Sequence, residues 1–312
     1  MAGASALAAC TPEKKPAAPQ EPYKPTEEYA PTPQPSTEIR PTTEPTPEPT
    51  EYIRGSPWEW DFRHEVDGPL SETEWNFTIG TEVADYNGEA QAYTNNPENI
   101  RVENGALIIQ ARHEATYGRE ITSARIDTRG KFDFQYGTLE VTAKLPRGVG
   151  TWPAGWLLAS DPQYNPNDFG IAPNDPSEFA VNGEIDFLEA IGSIDNENIP
   201  ATHSYKERKA GKVTYTPGKL NDAYGSFNTY GIIKTPGRIE FTINGEVYAS
   251  REQVNDDPLL WPYEQNYYLI LNLAMGGSWA GQEKDTFPPH GVDTSMSEEW
   301  KYIIQKISYK PL

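Results

Sequence analysis

From Trp58 onward the apolar residues fall in short alternating runs, separated by Gly, Pro, Asn and Asp, and nowhere hold a 3.6-residue period. Alternation of that kind predicts strands with one buried face. The stretch from Ile100 to Arg112 predicts a hairpin turning at Glu103-Asn104-Gly105, and Asn244-Gly245 marks a second tight turn between Arg238 and Tyr248. Further strands are expected from Thr138 to Leu145, Tyr267 to Leu273 and Tyr302 to Ile307, where β-branched and aromatic residues concentrate. Many short strands with turn signals between them, and no internal repeat, predict an all-β fold, a β-sandwich or jelly roll.

One predicted strand departs from the pattern. Gly183-Glu-Ile-Asp-Phe-Leu-Glu-Ala-Ile-Gly192 threads Glu184, Asp186 and Glu189 through an otherwise apolar segment. A carboxylate in such a setting is paired, protonated or chemically employed, unless the strand simply turns an acidic face to water. Glu184 and Asp186 are two apart and share a face, with Ile185 and Phe187 on the other. Glu189 has the wrong parity. A β-bulge near Phe187 or Leu188 would rotate it onto the face of the other two, and that bulge is predicted.

Composition then divides the chain. Twelve of the 29 prolines lie between Thr11 and Thr50, in a Pro/Thr/Glu/Ala stretch too poor in apolar residues to fold. Residues 11–55 are therefore expected to be a disordered linker and 56–312 one large domain. The formal net charge is −20; the seven Glu, three Lys and one Arg of residues 11–50 account for −3, leaving −17 beyond them. A field of that sign disfavours nucleic acid, anionic lipid and sulfated polymers, and favours neutral substrates. No apolar run is long enough to span a bilayer. The single cysteine, Cys10, excludes an internal disulfide, and Leu7-Ala-Ala-Cys10 has the form of a bacterial lipoprotein cleavage box. Residues 1–10 are read as a truncated lipoprotein signal. The expectation is a monomer tethered at the cell surface by lipid on Cys10, held away from the membrane by the linker.

Aromatic content adds a substrate class. With eight Trp and eighteen Tyr the chain has more flat apolar faces than a core of this size requires, and such faces stack on pyranose rings. Gly150-Thr-Trp-Pro-Ala-Gly-Trp156 places two tryptophans four apart on a segment broken by Gly and Pro, a candidate sugar platform. Two carboxyl groups flanking a glycosidic bond are the minimal apparatus of glycoside hydrolysis, with about 5–5.5 Å between them for retention. With the bulge, Glu184 and Glu189 lie about 13 Å apart along the backbone at ~3.3 Å per residue, a gap two glutamate side chains can close. The retaining geometry is favoured.

These residues resemble glycoside hydrolase family 16, and within it the bacterial laminarinases, endo-β-1,3-glucanases. The resemblance is carried by Gly183-Glu-Ile-Asp-Phe-Leu-Glu189. It extends to Thr122-Ser-Ala-Arg-Ile-Asp-Thr-Arg-Gly-Lys131, Tyr136-Gly-Thr-Leu-Glu140, Lys144-Leu-Pro-Arg-Gly148, Trp152-Pro-Ala-Gly-Trp156 and Leu269-Ile-Leu-Asn-Leu-Ala-Met-Gly-Gly-Ser-Trp279, in the family's order. It implies a jelly-roll sandwich whose concave sheet forms an open cleft. By motif position Glu184 resembles the nucleophile, Glu189 the acid/base and Asp186 the auxiliary carboxylate. Trp152, Trp156 and His203, with Asn99, Arg125 and Trp279, fall where similar enzymes contact substrate. Relatives often bind calcium through an Asp of the last strand; Trp300 to Tyr309 has none, so no metal or cofactor is expected.

The implied activity is retaining, internal cleavage of neutral β-1,3-glucan. Other family activities stay open: mixed-linkage glucanase, agarase or carrageenase, and transglycosylase. So does a non-catalytic lectin-like module on the same scaffold, although a binder has no use for three intact carboxylates. The Asp/Asn/Pro-rich stretch 160–182 is longer than the usual link before the acidic strand and is either a wall of the cleft or surface decoration.

Overall fold

The structure, a computed structural model, describes residues 56–173, 175–194, 196–212, 216–281, 292, 293, 295 and 300–312. Cys10 and the 11–55 segment lie outside them. In chain order the strands begin with β1 (Trp58–Asp61), β2 (Asn76–Phe77), β3 (Gln91–Tyr93), β4 (Ile100–Glu103) and β5 (Ala106–Gln110). There follow β6 (Arg112–Thr116), β7 (Arg119–Ser123), β8 (Arg125–Asp127), β9 (Gly137–Lys144) and β10 (Thr151–Ala159). The acidic segment is β11 (Glu184–Glu189), and after it come β12 (Glu197–Asn198), β13 (Ala201–His203) and β14 (Gly218–Lys219). The last are β15 (Asn228–Thr235), β16 (Arg238–Ile243), β17 (Glu246–Glu252), β18 (Tyr267–Met275) and β19 (Lys301–Lys310). Two short helices, α1 (Tyr205–Lys209) and α2 (Gly277–Ala280), sit between strands.

These strands form a jelly-roll sandwich. One layer has eight strands in the order β17-β16-β15-β9-β19-β5-β4, with β1 paired to β19; the other has six, β13-β11-β10-β18-β8-β2, and every pairing within both is antiparallel. Alternation puts the odd-numbered Leu139, Val141 and Ala143 of β9 inward against Leu269, Leu271 and Leu273 of β18, in one buried cluster that spans both sheets. The predicted turns are tight: Asn104-Gly105 and Asn244-Gly245 both hold left-handed φ at each residue, as a two-residue hairpin of this hand demands.

Three sequence expectations change in detail. The first hairpin ends at Gln110, because Arg112 opens a strand of a separate ribbon, β3-β7-β6, in which β3 and β7 run parallel. The Trp152–Trp156 segment is not broken by its Pro and Gly: it is the middle of the nine-residue β10, in register with β18 throughout. Stretch 160–182 is not mere decoration. It carries two 3-10 turns, and its Ile171 and Val181 bury a small second cluster with Leu259, flanked by Tyr164 and Tyr205.

Candidate active site

The outer face of the six-stranded sheet collects the chemistry. On β11 the register against β10 runs Glu184 to Leu158, Ile185 to Leu157, Asp186 to Trp156, then Leu188 to Gly155 and Glu189 to Ala154. Phe187 has no partner: it is the extra residue of the predicted bulge. Phe187 and Leu188 consequently both face the core, fully buried, and Glu184, Asp186 and Glu189 all face outward. Gly155 makes room for this. A Cβ there would stand 3.1 Å from Cζ of Phe187 and 3.3 Å from Cβ of Leu188.

Glu189 accepts a hydrogen bond of 2.9 Å from Nε1 of Trp152, whose ring meets that of Trp279 edge-on at 5.0 Å. At the other end, β13 pairs His203 with Glu184, and Nε2 of His203 stands 3.1 Å from Oδ2 of Asp186 and 3.6 Å from Oε1 of Glu184. Trp156 donates 2.8 Å to Oδ1 of Asn272, and the guanidinium of Arg125 lies 4.7 Å over its ring. So Trp152, Trp156, His203, Arg125 and Trp279 gather around the three carboxylates.

Asn99 does not join them. It is completely buried; its amide donates to the carbonyl of Gln110 and to Thr122 and accepts from Thr94, so no part of it is left for a substrate. The substrate-contact expectation for Asn99 is corrected to a structural role, that of pinning β5 and β7 where the chain leaves the sandwich.

Three carboxyl groups in one partly desolvated cluster cannot all ionise together near neutrality. Burial, then the charge of Asp186, pushes Glu184 up to about 7. Burial also raises Asp186, opposed by Arg208. Glu189 is raised well above the usual range, by burial first and by Asp186 second, against the hydrogen bond from Trp152. Among the described residues, Glu184, Asp186 and His203 are the group whose ligand atoms converge enough to hold a cation, all within 4.8 Å of one another. The same crowding raises the carboxyl pKa values, and a proton relieves it equally well.

Several residues at the site escaped the sequence reading. Asn272 interrupts the apolar run Leu269–Leu273 of β18, and that break was its available signal. The N–H of Trp156 can only donate, which fixes the Asn272 amide and makes Nδ2 donate 3.2 Å to the Tyr93 hydroxyl; that hydroxyl in turn faces Oε2 of Glu89 at 3.5 Å. Stretch 160–182 contributes Phe179, whose ring lies 6.3 Å from that of His203, with the Arg208 guanidinium 5.3 Å over it. Asn198, behind the bulge, had no sequence signal.

Comparison with known proteins places this arrangement. Residues 87–288 match the profile of the family described as Glycosyl hydrolases family 16. The β-glucanase of Rhodothermus marinus is 35% identical over 239 residues, 72% of this chain and 78% of that protein. The glucan endo-1,3-β-glucosidase of Cryptopygus antarcticus is 28% identical over 269 residues, 81% of this chain and 90% of that protein. The crystal structure of the laminarinase from Rhodothermus marinus superposes with a TM-score of 0.71 at 31% identity, over 82% of this chain and 96% of that one.

Proposed function

The chain belongs to glycosyl hydrolase family 16, and from that premise we propose that it cleaves β-1,3-glucan internally, with retention, through a covalent glycosyl-enzyme. It is a glycoside hydrolase of the laminarinase type. The observation that carries the finer reading is the bulge at Phe187, which turns Glu189 onto the face of Glu184 with Asp186 between them.

In this mechanism the Glu184 carboxylate attacks the anomeric carbon while Glu189 delivers its proton to the departing glycosidic oxygen. The sugar is left esterified to Glu184. Glu189, now ionised, takes a proton from water, whose oxygen displaces Glu184, and both groups return to their starting states. The environment supports this division of labour: burial, and the charges of Asp186 and of an ionised Glu184, favour a proton on Glu189, as an acid requires. Asp186 and His203 lie beside Glu184, with Nε2 of His203 3.1 Å from Oδ2 of Asp186 and 3.6 Å from Oε1 of Glu184. Trp152 and Trp279 offer apolar faces to the sugar.

The test is product analysis on laminarin, lichenan, agarose and carrageenan. Laminarin should lose chain length rapidly, its products should appear first as the β-anomer by NMR, and Glu184→Gln should lower kcat by about 10³-fold or more. Inversion at the anomeric carbon, or laminarin binding with no Glu184-dependent cleavage, would discard the mechanism. Attachment through a lipid on Cys10 is proposed separately; the full chain should partition into detergent and Cys10→Ala should not.

A further inference from the structure

A β-bulge leaves backbone groups without ladder partners, and in β11 those groups flank Glu189. The pairing with β13 has also ended by then, since its last matched residues are Asp186 and Ala201. One buried side chain fills the gap. Asn198 is fully buried; its Nδ2 donates 2.9 Å to the carbonyl of Phe187, and its Oδ1 accepts 3.1 Å from the N–H of Glu189. A carbonyl only accepts and an N–H only donates, so the amide orientation is fixed. In effect the side chain replaces a neighbouring strand over the bulge, and the Ile199 N–H then continues to the carbonyl of Glu189 at 2.8 Å.

Asn198 is itself held. It lies on β12, whose partner opposite Asn198 on β14 is Gly218. A Cβ on Gly218 would come within 2.7 Å of the Tyr248 ring, so the glycine admits that ring. The Tyr248 hydroxyl takes the second Nδ2 proton at 2.7 Å. Tyr248 belongs to β17, so a tie runs from the edge of the eight-stranded sheet through Asn198 to the bulge.

We propose that Asn198, backed by Tyr248, is a positioning residue for Glu189: by closing the bulge it sets the reach of that carboxyl toward the glycosidic oxygen. This rests on Glu189 being the acid/base. With its N–H on Asn198, its C=O on Ile199 and its side chain on Trp152, Glu189 is fixed at three points. Removing the first lets the bulge relax, and a displacement of about 1 Å at a catalytic group costs on the order of 10²-fold in rate.

The experiment separates proton delivery from general damage by leaving group. A 2,4-dinitrophenyl β-laminaribioside departs as a stabilised phenolate and needs no proton; a glucan alkoxide does. For wild type, Asn198→Ala and Tyr248→Phe, kcat/KM is measured on laminarin and on the aryl glycoside in the same sample, so the ratio is independent of the folded fraction. The laminarin-to-aryl ratio should fall about 30-fold or more in Asn198→Ala, and by a smaller factor in Tyr248→Phe. An unchanged ratio in both variants overturns the proposal, whatever happens to absolute activity. A wild-type protein inactive on both substrates would instead overturn the glucanase reading on which it stands.

Discussion

A carboxyl group that burial holds protonated has opposite effects on activity and on stability. Glu184 has an ordinary value of 4.5 and is pushed up to about 7 in the folded protein. As nucleophile it must be ionised, so kcat/KM on laminarin should fall as pH drops through about 7. Facing Glu184 are Asp186 from its own strand, His203, Arg125 and Arg208; the first raises its pKa and the other three lower it. For stability the sign reverses. The unfolded chain ionises near 4.5 and the folded one only near 7, so protonation favours folding below 4.5 and that advantage is lost as pH rises through 7. The neutral isostere Glu184→Gln should therefore raise Tm at pH 8, by at most about 3 kcal/mol of stability, and leave it nearly unchanged at pH 4. A Tm gain at pH 4 equal to that at pH 8 would contradict the raised pKa. Glu184, Asp186 and Glu189 were legible in the sequence for the same physical reason that they are perturbed, since charge inside an apolar run is rare. Asn198 was not, because a neutral amide gains its role only from partners far along the chain, as Asn198 does from Tyr248.

At the scale of the strand, parity was decisive. Two-residue alternation identifies which side chains share a face, and the mismatch of Glu189 predicts the bulge found at Phe187. What the sequence concealed was the opposing element. Gly155 reads as a strand breaker between two tryptophans, yet it sits within β10 facing Phe187 and Leu188 across the bulge. Adding one methyl there places Cβ 3.1 Å from Phe187 and 3.4 Å from Leu271 in a filled core. Gly155→Ala should cost about 1–3 kcal/mol by overpacking, a Tm loss of roughly 3–10 °C, and should reduce glucan hydrolysis more than that loss of stability explains. Trimming the clashing ring with Phe187→Leu in the Gly155→Ala background should restore part of both. Additive losses in the double variant would show that Gly155 does not act through the bulge. The 160–182 stretch was harder to read for a related reason: its small cluster closes on Leu259, some eighty residues further on, and no local pattern announces such a contact.

At the scale of the whole molecule, the question is where the folded unit must begin. The break in composition after Thr50 predicts a domain from residue 56; among the described residues the strands follow the alternation from Trp58 on. Among the described residues the core begins with β1. Trp58 and Trp60 of β1 pair with Tyr309 and Ile307 of the final strand, so the first and last described strands close on each other. The Trp58 ring stacks on Phe132 at 4.2 Å, Trp60 stacks on Trp75 at 4.3 Å, and Phe62 is buried in the main cluster. Not one residue of that cluster precedes Trp60 among the described residues. Removing residues 1–55 should accordingly leave Tm within about 2 °C and kcat/KM on soluble laminarin within about twofold, because β1 and the rings it packs all lie after that cut. Removing seven residues more takes Trp58, Trp60 and Phe62 and strips β1 from β19. Truncating a single buried Phe or Trp side chain costs about 3–5 kcal/mol, and losing these rings with their strand exceeds the ~5–15 kcal/mol that holds a typical domain folded. A thermal melt of the two truncations decides the point: a cooperative transition should survive the first and vanish in the second, and a cooperative melt in the second would show that β1 is dispensable.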